Sequence, residues 1–131
     1  LYKPVNSKRV YAGLEKALEY IDNNEISFST REEGYITINK NEIMYVEVSH
    51  KKVFVTTVDK QYIAREKMNY FKSHLTASYF IIPHNSYVVN INYIVKFKRE
   101  KITIRNNYEI SIAPKKQSEV KQRFMKFMGE N

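Results

Sequence analysis

Three short polar segments of this 131-residue chain hold the side chains best suited to chemistry. They are Ser49-His50-Lys51-Lys52, His84-Asn85-Ser86 and Ala113-Pro114-Lys115-Lys116. What they offer is hydrogen-bond donation and positive charge. Lysine neutralises phosphates or donates to guanine O6 and N7, asparagine pairs with adenine N6 and N7, and histidine donates to a guanine or a phosphate. A helix starting beside Lys115 and Lys116 would add its own attraction for a phosphate. Taken singly, each segment reads more simply as a solvated turn. As a set they make a nucleic-acid surface only where the fold brings them to one face, and spacing alone does not decide that.

Other chemistries leave weaker traces. There is no glycine-rich dinucleotide fingerprint, no P-loop, no HExxH and no GxSxG. His50, His74 and His84 are not spaced as a metal cluster, and the chain has no cysteine to assist them. Serine, histidine and acids are all present, so composition leaves a triad open, but no spacing favours one. No catalytic residue, metal site or cofactor is expected. Eleven tyrosines and seven phenylalanines could stack on single-stranded bases. Most of them alternate with polar residues at strand or helix positions, as packing residues do.

Composition narrows the partner. The net charge is +8. Residues 1–30 balance Lys3, Lys8, Arg9 and Lys16 against Glu15, Glu19, Asp22 and Glu25, so residues 31–131 carry all of it. Such an excess suits a polyanion, either nucleic acid or an anionic membrane surface. No apolar run approaches the length of a membrane span, and Leu1-Tyr2-Lys3-Pro4 is not a signal peptide. The absence of cysteine fits a cytoplasmic location. Because position 1 is leucine, the chain reads as a piece of a longer protein.

The elements that must position the three segments follow from periodicity. Val10, Leu14, Ala17, Leu18 and Ile21 recur at helical spacing and predict a helix over 6–24, capped by Asn6 or Ser7. From about residue 35 the period becomes two. Strands are expected at 35–38, 43–48, 53–58 and 62–64, then at 79–82 (stopped by Pro83), 87–91, 94–98, 102–105 and 108–112. Asp59-Lys60 has the length of a two-residue hairpin loop, and Asn106-Asn107 suits a type I′ turn. Helices are expected at 66–76 and 115–128.

With these elements in order, the chain resembles the LytTR family of bacterial transcription factors over residues 27–128. Tyr79-Phe80-Ile81-Ile82-Pro83-His84-Asn85-Ser86-Tyr87-Val88-Val89-Asn90 looks like the family's run of Phe, apolar pair, polar pair around Ser, then Val-Asn. Ile94 follows as the family's next strand does, and Glu42-Ile43-Met44-Tyr45-Val46-Glu47 looks like its Ile-x-Tyr-Ile-Glu strand. The resemblance implies small stacked antiparallel sheets whose loops enter successive major grooves and bend the DNA. It puts the base-contacting loops on His50 to Lys52, on Asn85 with its neighbours, and near Ala113 to Lys116. Where many members have arginine near the end of the last strand, this chain has Ile112-Ala113-Pro114-Lys115, and lysine lacks arginine's planar fork. Tyr2-Lys3-Pro4 before an amphipathic helix is similar to the end of a receiver domain, with Lys3 as its phosphate-sensing lysine.

The expected molecule is mainly β (α+β), with an N-terminal helix, one short central helix and a C-terminal helix. Residues 1–26 are read as a receiver remnant and linker, and 27–131 as a DNA-binding domain. The expected function is that of a cytoplasmic, sequence-specific duplex-DNA-binding regulator without enzymatic activity, the output domain of a two-component response regulator. Its expected site is His50, Lys51, Lys52, His84, Asn85, Ser86, Lys115 and Lys116. Expected partners are double-stranded DNA, a second copy on paired sites and an upstream receiver domain, with no membrane. Two rivals stand beside it: a single-stranded nucleic-acid or RNA-binding β module that would use the Tyr and Phe surface, and a protein-interaction or membrane-surface domain working through the basic face.

Overall fold

A computed structural model describes residues 24–129, so the helix expected over 6–24 and the role expected of Lys3 lie almost wholly outside the described residues. Ten strands are described: β1 (Glu25–Thr30), β2 (Gly34–Asn39), β3 (Ile43–Ser49), β4 (Lys52–Thr57), β5 (Gln61–Ala64), β6 (Phe80–His84), β7 (Tyr87–Asn90), β8 (Ile94–Phe97), β9 (Lys101–Ile104) and β10 (Glu109–Ser111). Two α-helices accompany them, α1 (Met68–His74) and α2 (Gln117–Phe127). Seven strands form an antiparallel sheet in the order β2-β1-β5-β4-β3-β7-β6, and β10-β9-β8 form a second sheet of three.

β3 shows why the fold has two cores. Ile43, Met44, Tyr45 and Val46 are all buried, so this central strand is covered on both faces. Ile43, Val46, Val55, Val88 and Phe28 pack toward Met68, Phe71 and Leu75 of the α1 region. Tyr45, Ile81, Val89 and Ile91 pack instead with Ile102, Ile104 and Ile110 of the small sheet and Val120 of α2. A register shift between Ile43 and Tyr45 marks a bulge where the strand redistributes its side chains between the cores. Fully buried Asn90 ties the end of β7 to the start of β3 without an orphaned polar group: its Nδ2 donates to Ile43 O at 2.9 Å and its Oδ1 accepts from Asn92 N at 2.9 Å.

The structure corrects the sequence reading at several points. β1 was not foreseen, although Ile26, Phe28 and Thr30 alternate as buried residues with Glu25, Ser27 and Ser29. Glu25 and Ile26, read as linker, open that strand. Pro83 does not stop β6 but lies within it. β6 is an edge strand with an irregular register between Ile81 and His84, the setting in which a missing N–H is harmless. The loop after β4 is Val58-Asp59-Lys60, closed by Thr57 N donating to Lys60 O at 2.9 Å. Asn106-Asn107 is not a type I′ turn, because only Asn107 has a positive φ, 70°. Asn107 N donates to Ile104 O at 2.7 Å within a three-residue loop.

Candidate nucleic-acid interface

The first two polar turns are neighbours because their strands are. β3 pairs antiparallel with β7, Glu47 opposite Tyr87, so the end of β3 and the start of β7 share one end of the large sheet. Val48 N donates to Ser86 O at 2.9 Å, joining the His50-Lys51 turn to the Asn85-Ser86 turn directly. The third segment is joined the same way, by Ala113 N donating to Pro83 O at 2.8 Å on the outer side of β6. The fold therefore gathers all three polar segments at one end of the sheet.

Each segment is held differently. Ser49 pairs with Lys52, so His50 and Lys51 form a two-residue turn. Both have positive φ, 53° and 66°, the sign pattern of a type I′ turn. Such a turn favours Asn-Gly, and a residue with a Cβ in this region is strained by about 1–2 kcal/mol. The Ser49 hydroxyl lies 3.0 Å from His50 Nδ1 and steadies the ring, leaving Nε2 toward solvent chemistry.

In the second turn His84 is partly occupied with the turn itself. Its Nδ1 accepts from Ser86 N at 3.2 Å, the role an asparagine side chain often takes in such elbows. Asn85 is exposed, and its carboxamide bonds to no group among the described residues. In the third segment Pro114–Lys116 form a 3-10 turn, and α2 begins only at Gln117, with Glu119 in its first turn. Lys115 and Lys116 thus precede the helix rather than open it, and the helix end carries an acid of its own. Lys115 is exposed and Lys116 half-buried.

Behind the turns lies a small polar brace. The Tyr108 hydroxyl donates to Glu47 Oε2 at 2.7 Å and the Tyr87 hydroxyl to the same oxygen at 3.2 Å. Tyr108 also stacks on Tyr45, ring centroids 5.0 Å apart. Burial, aided by the Glu47 carboxylate, pushes both phenols above the ordinary tyrosine range. Glu47 lies two residues before Ser49, and Tyr87 directly after Ser86, so the brace links the roots of both turns to the small sheet.

Sequence reasoning missed further cations at this end. Arg31, Arg65 and Lys67 line a cleft of about 800 Å³ together with Lys51 and Lys52. The signal was the positive balance of residues 31–131, but the side chains come from three separate connections. Among the described residues no group of His, Asp and Glu could hold a metal ion. No described helix is long and apolar enough to cross a membrane.

Residues 33–125 match a family model described as the LytTr DNA-binding domain. A curated relative, the sensory transduction protein LytR of Streptococcus agalactiae, is 26% identical over 92 residues. That match takes in 70% of this chain and only 37% of the relative, so the chain spans little more than a third of its length. Among solved structures, a LytTr DNA-binding domain of a methyl-accepting/DNA response regulator from Bacillus cereus matches with a TM-score of 0.61 and 22% identity. The match covers 81% of this chain and 97% of that one, and at this identity the likeness is one of fold.

Proposed function

Because this chain belongs to the LytTR family of DNA-binding domains, we propose that it reads duplex DNA sequence-specifically as the output module of a cytoplasmic two-component response regulator. The observation that carries the reading is the pair of hydrogen bonds, Val48 N to Ser86 O and Ala113 N to Pro83 O, that gathers three polar segments at one end of one sheet. Asn85 and His50 sit on short, constrained turns and are assigned to base edges, since a fixed donor loses little entropy on binding. Lys51, Lys52, Lys115 and Lys116 are long and flexible and are assigned to phosphates. His84 and Ser86 shape the elbow that presents Asn85. The module carries out no reaction of its own. In the full-length protein a receiver domain, whose end lies before β1, brings two copies to paired half-sites.

The single-strand alternative needs several aromatics on one exposed face. The strongly exposed large hydrophobics among the described residues are Tyr35, Val58, Val95, Phe127 and Met128, which include one aromatic on β2 and one on α2. They make no stacking platform. The test is a comparison of two affinities, for a selected duplex site and for random duplex. Asn85→Ala and His50→Ala should each lose about 1–3 kcal/mol on the site and much less on random DNA. Lys116→Ala should weaken both equally. An unchanged ratio with a lowered melting temperature for Asn85→Ala would make that residue a turn former and remove it from the interface.

A further inference from the structure

The cleft beside the first turn has a composition the three segments do not explain. Its cations are Arg31, Lys51, Lys52, Arg65 and Lys67, against a single acid, Glu66. The five cations are exposed. Glu66 is committed elsewhere: its carboxylate accepts from Ser29 N at 3.0 and 3.1 Å and from the Ser29 hydroxyl at 3.3 Å. Arg65 N donates to Ser29 O at 2.9 Å, so the segment after β5 is pinned to β1 by its backbone while its two basic side chains stay outside. The ion pairs among the described residues, Lys60 with Glu33 and Lys101 with Glu109, involve none of the five. Like charges gathered at one concavity repel one another, and that cost is offset when a polyanion occupies it.

Continuity identifies the occupant. Lys51 belongs both to the reading turn and to the cleft, and Ala64 pairs with Val53, which sets Arg65 beside the start of β4. A duplex seated on the three segments extends past this end of the sheet on the β5 side. We propose that the DNA backbone flanking the read sequence lies in this cleft, with Arg31, Arg65 and Lys67 holding its phosphates. This inference rests on the duplex-binding reading above. It makes the footprint asymmetric: one flank is held by the cleft, independently of sequence, and duplex length on that side matters.

The experiment compares the chain with Arg65→Gln/Lys67→Gln on a long duplex and on one trimmed on either flank. Losing about two phosphate contacts should reduce the slope of log affinity against log salt by about two units, so the affinity lost between about 50 and 200 mM salt shrinks roughly tenfold. The ratio of specific to random affinity should stay the same. Trimming the flank beside the cleft should weaken the unsubstituted chain more than the variant, which keeps Arg31. Where the double variant fails to fold, Lys67→Gln alone should lower the slope by about one unit. An unaltered slope in a folded variant, with Asn85→Ala still losing specificity, overturns the cleft and leaves the reading turns standing. If the unsubstituted chain shows no preference for duplex over single-stranded competitor, the duplex-binding reading itself falls.

Discussion

His50 and Lys51 illustrate a conflict between folding and function at single residues. The turn between β3 and β4 demands two positive φ angles, which Asn-Gly would supply without strain. This sequence instead places there an imidazole and an ammonium, the two groups useful to a nucleic-acid partner. Strain kept at one end of the molecule is expected where a binding surface is built. Replacing His50-Lys51 with Asn-Gly should therefore raise stability by about 1–2 kcal/mol, measured by urea denaturation. The same variant should bind its specific duplex more weakly than the natural chain. A variant that is neither more stable nor weaker in binding would show that the turn carries no such compromise.

At the scale of elements, the Glu47–Tyr87–Tyr108 brace fastens β3 and β7 to the hairpin of the small sheet. Both phenols have pKa values raised in the folded state, chiefly by burial. The sign follows from linkage: folding favours the neutral phenol, so its contribution is complete below the unfolded tyrosine pKa of about 10 and is lost as pH rises beyond it. Urea denaturation between about pH 8 and pH 11 should show stability falling in the upper part of that window. Tyr108→Phe should be less stable at neutral pH and show a shallower fall. The segment before β1 makes the opposite prediction. Among the described residues, 24–129, both cores run from Ile26 to Phe124, and removing residues 1–23 is expected to leave a cooperatively folding domain with unchanged duplex affinity. Global unfolding of that truncation, seen by circular dichroism, would put the N-terminal segment into the core and count against a receiver remnant.

For the whole molecule the governing quantity is charge. The net +8 acts as a sequence-independent attraction on any duplex, and the turns proposed to read bases would add discrimination to it. If the three segments hold about four to six phosphates, the salt slope should be roughly −4 to −5, to which the three cations proposed for the cleft should add about three units in magnitude. Fluorescence anisotropy across a salt series measures this directly, and a slope near zero would remove the electrostatic part of the mechanism. Single-stranded competitor should displace duplex poorly. Equal displacement by both would move the function to the stacking alternative.

The sequence by itself determined the alternation of elements, because each strand and helix carries its own period. Nine of the ten strands were expected close to where they lie. The exception, β1, has a legible buried alternation but follows directly on a helical pattern, and serine and threonine dilute its apolar signal. The identities in the three polar segments were legible as well, because hydrogen-bonding chemistry belongs to residue type. Adjacency was not legible. Val48 and Ser86 lie 38 positions apart, and Pro83 and Ala113 30 apart, yet each pair shares a hydrogen bond. Those contacts follow from the order of strands across the sheet, which is fixed by how both faces of β3 are covered and not by any local pattern. The same is true of Arg31, Arg65 and Lys67, ordinary loop cations in the sequence that only the pairing of β1, β4 and β5 brings to one cleft.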